Sequence, residues 1–117
     1  MIRKAAEVPG FAFENCHDGQ GALLCRSMLQ PGDTEQKILF FHHDYIPAGV
    51  SIGQHLHTGN EEIYYLISGH CTLIYDGQET PMEPGDFSIV RDGHTHGLVN
   101  SGPIEAQLIV VGVGEEE

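Results

Sequence analysis

From Lys37 onward the chain alternates short runs rich in apolar residues with clusters of turn-forming ones. Ile38 to Ile46 runs into Pro47-Ala48-Gly49, and Glu62 to Ile67 stops at Ser68-Gly69. Cys71 to Tyr75 ends at Asp76-Gly77, a dipeptide that favours a two-residue hairpin turn. Phe87 to Val90 follows Pro84-Gly85-Asp86 and meets Asp92-Gly93; His96 to Val99 meets Asn100-Ser101-Gly102-Pro103; Ile104 to Val113 is the last run. No stretch longer than about two turns carries the i, i+3, i+4 spacing of an amphipathic helix. Gly21 to Leu29 fits either period, and its reading leans to strand. Short strands punctuated this regularly predict an antiparallel sandwich or barrel.

Composition narrows this picture. A chain of 117 residues fits one domain and can bury a core without disulfides. Fifteen Gly, six Pro and no Trp suit many tight turns. Five Lys and Arg against 17 Asp and Glu leave a formal charge of −12. A phosphate backbone would be repelled, so nucleic acid is excluded as an expected partner, and anionic membrane surfaces with it. Cys16, Cys25 and Cys71 are odd in number and lack CxxC spacing, so they read as reduced thiols of a cytoplasmic protein. Met1 to Glu7 has a basic pair with no apolar stretch behind it, so no secretory signal is expected. The longest apolar run, Leu108 to Val111, is far too short to cross a bilayer. Glu115-Glu116-Glu117 reads as a solvated tail.

Eight histidines are many for this length, and they cluster. His55 and His57 are separated by one residue, so on a strand both imidazoles project to the same side. Glu62 opens the next strand after Thr58-Gly59-Asn60-Glu61, and a hairpin there brings its carboxylate beside the two rings. His96 starts a later strand. Three neutral imidazoles and a carboxylate suit Mn, Fe, Co, Ni or Zn in the divalent state. A bare HxH pair also lines many wet barrel mouths with no metal.

The spacing is more specific than the composition. Gly49 to Gly69 reads G-x(5)-H-x-H-x(4)-E-x(6)-G, and Gly85 to Asn100 reads G-x(5)-R-x-G-x(2)-H-x(3)-N. These runs resemble the two motifs of the cupin superfamily, with Arg91 standing where the family usually has proline. Only His70 to Pro84 separates them, as in compact microbial members. The resemblance covers Ile38 to Val113; residues 1–37 match no motif. It implies an all-β jelly-roll β-barrel, a single cupin domain over 1–117, with 1–37 as N-terminal strands or an arm and 38–113 as the barrel core. It further implies one divalent transition metal ion (Mn, Fe, Ni, Co or Zn) per subunit on His55, His57, Glu62 and His96. A homodimer built with the leading segment, and a small-molecule ligand in the barrel pocket, complete the expectation. Gly49, Gly69, Gly85 and Gly93 would be turn positions, and Asn100 a structural asparagine.

Other residues tempt. One of His42 and His43 must face the barrel interior, and the sequence does not say which. Tyr64 and Leu66 share the face of Glu62. Tyr64, His94 and Arg91 are the catalytic candidates, although for Arg91 a salt bridge with Asp86 or Asp92 is the safer expectation than pairing with an anionic substrate. Gln54, Gln107 and Cys71 are further lining candidates, whereas His17 and His70 read as surface. The function expected is a metal-dependent enzyme acting on a small oxygenated metabolite, by oxygenation or isomerisation, with decarboxylase or lyase chemistry within the same range. A metal-dependent binding or sensor module is the alternative.

Overall fold

The computed structural model describes residues 1–115 and is built from ten strands. They are β1 (Gly10–Glu14), β2 (Ala22–Ser27), β3 (Ile38–Ile46), β4 (Ser51–Leu56), β5 (Asn60–Ser68), β6 (Cys71–Tyr75), β7 (Gln78–Met82), β8 (Phe87–Val90), β9 (Thr95–Val99) and β10 (Ala106–Gly114). The described residues include two helical pieces, both single 3-10 turns, Ala5–Glu7 and Cys16–Asp18. A six-stranded antiparallel sheet in the order β1-β2-β3-β10-β5-β8 faces a four-stranded one in the order β4-β9-β6-β7. The antiparallel architecture expected from the turn spacing is the one observed, and its two facing sheets form the all-β jelly-roll barrel that the resemblance implies. Glu116 and Glu117 of the expected tail lie outside the described residues, and Glu115 pairs with Lys37.

The two-residue period of the sequence becomes the two faces of each sheet. On β5, Asn60, Glu62, Tyr64 and Leu66 are buried while Glu61, Tyr65 and Ile67 are exposed. On β10, Ala106, Leu108 and Val110 face in. With Leu23, Ile46, Ile52, Leu73, Met82 and Leu98 they form the shared core. Each such aliphatic side chain contributes about 1.5–3 kcal/mol by leaving water. The apolar filling closes one end of the barrel, and the polar inward positions, Asn60 and Glu62 on β5, mark the other.

The turns are held by the residues expected there. Gly49, Gly69, Gly85 and Gly93 all have positive φ, between 82° and 94°. Asn100 is buried and donates from Nδ2 to the carbonyls of Ile46 and Ile104, 2.8 Å each, while its Oδ1 accepts from the Gly102 amide at 3.0 Å. This clamp holds Ile104 in the turn, so β10 begins at Ala106, two residues later than the apolar pattern suggests. The leading segment adds β1 and β2 to the six-stranded sheet of the same chain, β2 pairing directly with β3.

Candidate metal centre

Three elements converge to place the histidines and the glutamate. On adjacent strands β4 and β9, His55 and His96 are cross-strand partners. The β4 register shifts between Ile52 and His55, a bulge that re-aims the following side chains. His57 lies one residue past β4 and is fixed by its backbone, its N–H donating to His94 O and its carbonyl accepting from Gly93 N. Glu62 reaches across from β5 in the opposite sheet.

The result is a tight group. One ligand atom from each of His55, His57, Glu62 and His96 lies within 4.8 Å of all the others. His57 Nε2 and His96 Nε2 are 3.0 Å apart, and His96 Nε2 is 3.0 Å from Glu62 Oε1. Ligands on adjacent corners of an octahedron with bonds of about 2.1 Å stand about 3.0 Å apart. The spacing therefore fits a divalent ion. Neighbouring acceptors fix the ring orientations. His55 Nδ1 lies 2.8 Å from the Gly53 carbonyl and His57 Nδ1 2.6 Å from Asn60 Oδ1. Each bond holds the proton on Nδ1 and leaves the Nε2 lone pair facing the group. His55 Nε2 is buried without a hydrogen-bond partner, as expected of an atom whose partner is an ion. Against the His96 ring, Tyr64 is stacked with centroids 4.3 Å apart and planes within 10°.

The electrostatics favour the ligating protonation states. Burial pushes the His55 pKa down to about 4, partly offset by its Gly53 bond, so the ring is neutral at pH 7. Burial alone would raise the Glu62 carboxyl; the hydrogen bond from His96, with His57 and His55 nearby, outweighs this and holds it below the usual range. Burial, with the Glu62 carboxylate close by, also drives the Tyr64 phenol well above its ordinary value, so it stays protonated.

Beside this group lies a cavity of about 380 Å³. Its walls include His55, His57, Glu62 and Tyr64 and, from the six-stranded sheet, Cys25, Phe40, His42 and Asp44. Asp44 is 4% exposed, and burial pushes its carboxyl up to about 7, the Cys25 thiol bond opposing and Glu62 adding. Of the adjacent histidines, His42 lines the cavity; His43 faces outward, where its Nε2 meets Gln107 Oε1 at 3.0 Å.

His17 is exposed, as expected, and it also forms part of this wall. Its ring stacks on His55 with centroids 3.6 Å apart and planes within 12°. The loop that carries it is unusual, since Asn15, His17 and Asp18 all take left-handed φ of 50–62° without being glycine. The loop lies against the bulge of β4, where a Cβ on Gly53 would collide with the His17 carbonyl oxygen. Such strain clusters at functional sites. The one sequence signal was the run of Asn, Asp and Gly residues able to adopt left-handed backbone.

The remaining candidates sit elsewhere. His94 is exposed, its Nδ1 2.6 Å from Asp76 Oδ2, and it does not line the cavity. Arg91 is exposed, lines no part of the cavity, and among the described residues forms no ion pair with Asp86 or Asp92. Cys71 is buried in the core away from the cavity, Gln107 faces outward, and Gln54 is exposed. His70 pairs with Glu83 at 2.8 Å on the surface. All three cysteines are buried and free.

A model describing the Cupin domain matches residues 41–112, most of the chain. The chain belongs to the cupin family. This cupin is 26% identical over 111 residues to the oxalate-binding protein of Thermotoga maritima, covering 95% of this chain and 92% of that one. It superimposes on the crystal structure of a predicted oxalate decarboxylase from the same organism with a TM-score of 0.92 and 25% identity, over 98% of this cupin and 100% of the other. A shorter match, 38% identical over 50 residues, is to the quercetin 2,3-dioxygenase of Bacillus subtilis, covering 43% of this cupin and 15% of that enzyme.

Proposed function

We propose that this cupin holds one divalent transition metal ion on His55, His57, Glu62 and His96 and uses it to bind and transform a small oxygenated molecule in the adjoining cavity. The observation that carries the reading is the spacing of the four donors, 3.0 Å along two edges and 4.8 Å at most. Charge supports it. The cavity is lined by two carboxylates, Glu62 and Asp44, and by no Lys or Arg, so Glu62 takes its counter-charge from the histidines or from an ion. Four protein donors leave two positions on an octahedral ion.

When bound, such an ion supplies Lewis-acid polarisation of a chelated oxygen pair, or a centre for oxygen chemistry. The protein's own groups do the rest. The acceptors at Gly53 and Asn60 keep His55 and His57 in one tautomer. Tyr64 holds the His96 ring by stacking and keeps its hydroxyl proton at the cavity wall. His17 covers His55 and limits water from that side. Oxygenation or isomerisation is the chemistry this arrangement suits, in a cytoplasmic protein.

A second reading is binding without turnover. The name of the T. maritima relative, oxalate-binding protein, favours it. The homodimer belongs to the same proposal: β1 is an edge strand, and Phe11 and Leu24 on β1 and β2 are exposed.

Elemental analysis of protein purified without added metal tests the first step. About one first-row ion per chain is expected, with most of it lost in His57→Ala while the fold persists. Full occupancy in that variant would remove His57 from the ligand set.

A further inference from the structure

The cavity carries two polar groups, which the strand registers set two rows apart, and several apolar side chains. His55, His57 and Glu62 stand at one end. At the other, Cys25 on β2 and Asp44 on β3 are cross-strand partners, and His42 lies two residues from Asp44 on the same face. One atom from each of these three lies within 4.8 Å of the other two. Phe13, Leu23, Phe40 and Val110 supply apolar parts of its wall.

This second group is hard to explain by folding alone. Asp44 is 4% exposed and hydrogen-bonded to the Cys25 thiol, yet its Oδ1 has no partner. Its neighbours in the same row across the sheet, Leu108 on β10 and Leu66 on β5, are apolar, so a leucine at position 44 would extend the core. A buried acceptor left open toward a cavity is instead the mark of a group that meets a ligand.

The character of that ligand follows from what surrounds it. All five basic residues lie outside the cavity; Arg3 pairs with Asp33, Lys37 with Glu115, and Arg26 donates to the Ala5 carbonyl. The far end therefore offers no seat for a phosphate or a second carboxylate beside Asp44. It accepts a hydrogen-bond donor. The volume, about 380 Å³, lies in the range of roughly 300–1,000 Å³ that encloses ligands larger than a two-carbon diacid.

The geometry points to Asp44 as a specificity residue that receives a hydroxyl at the far end of a ligand whose body is apolar or aromatic and whose paired oxygens face the histidine–glutamate group. This rests on the reading that the ligand binds at that group. Phe13, Phe40 and Val110 flank the body, and His42 stands beside the hydroxyl.

Two aromatic 2-oxo acids that differ by one hydroxyl test it: phenylpyruvate and 4-hydroxyphenylpyruvate. Their affinities are measured by calorimetry on the parent, Asp44→Asn and Asp44→Leu, each with and without cobalt, and cobalt stoichiometry is read separately. The parent is expected to bind the hydroxylated acid about tenfold more tightly, because a site built to pair a hydroxyl discriminates against its absence. Asp44→Asn should keep part of that preference, and Asp44→Leu should erase it while binding phenylpyruvate and cobalt like the parent. Equal affinity for the two acids in the parent would overturn the proposal, as would a preference that survives in Asp44→Leu. So would oxalate binding with neither aromatic acid bound. A second cobalt equivalent with a thiolate absorption band, lost in Cys25→Ser, would give the cluster to an ion and also overturn it. Failure of cobalt to bind the parent sinks the metal reading alone, because the hydroxyl preference is still scored in the metal-free arm.

Discussion

Asn60 shows how much of the centre depends on residues that never touch an ion. Its Oδ1, 2.6 Å from His57 Nδ1, sets which nitrogen of His57 faces the other donors. Replacing it by alanine should weaken metal affinity by about 10–100-fold, read by competition with a chromophoric chelator. Unchanged affinity would show that the backbone alone orients the ring. Asp44 makes a prediction of opposite character, about stability. Burial raises its folded pKa to about 7 from 3.8, so the fold favours the neutral acid. Its contribution is fully present below the unfolded value and is lost as pH rises through 7. Asp44→Asn stays neutral throughout, so between pH 4 and pH 8 the stability difference should move in its favour by up to about 4 kcal/mol. Denaturant titrations at several pH values check this, and a difference that does not change with pH would contradict it. The four metal-binding candidates were legible in the sequence because they fall at fixed intervals on strands and turns. His17 and Asp44 were not: one depends on a left-handed loop, the other on a face assignment that a run of nine residues leaves open at both of its histidines.

At the level of elements, β3, β6 and β8 have the bounds that their apolar runs and flanking turns indicate, because turn chemistry stops a strand as surely as hydrophobicity sustains it. β7 left no such trace. Four of its five residues are exposed and it holds Pro81, so it is an edge strand defined by pairing with β6 rather than by burial. The bulge in β4 was equally invisible, and it matters more. Gly53 sits within it, packed so closely under the 15–19 loop that a Cβ would meet the His17 carbonyl. Gly53→Ala should therefore lower stability by about 1–3 kcal/mol and also reduce metal affinity, since the loop carrying His17 must lift off His55. Thermal melts and metal titration on one sample test both. Loss of stability with undiminished metal affinity would show that the loop packs without supporting the centre.

For the molecule as a whole, the ion and the fold should be linked. Metal at about 100 times its Kd adds about 2.7 kcal/mol to stability, a rise in Tm of roughly 8–16 °C at this size, and a chelator should return the melt to its starting point. A Tm indifferent to both would mean the ion binds folded and unfolded chains alike. The strand order carries one more consequence. β10 is the last strand in the chain, yet it sits in the middle of the larger sheet, joining β3 on one side to β5 on the other. While the polypeptide is being synthesised, β3 and β5 leave the ribosome early and wait with open edges for a partner some forty residues or more behind. Until that partner arrives, the smaller sheet can form, since all its strands precede β10, but the two halves of the larger one have nothing to hold them side by side. Exposed edges are templates for mispairing, so a nascent chain stalled before Ala106 is the species on which chaperone binding and aggregation should concentrate.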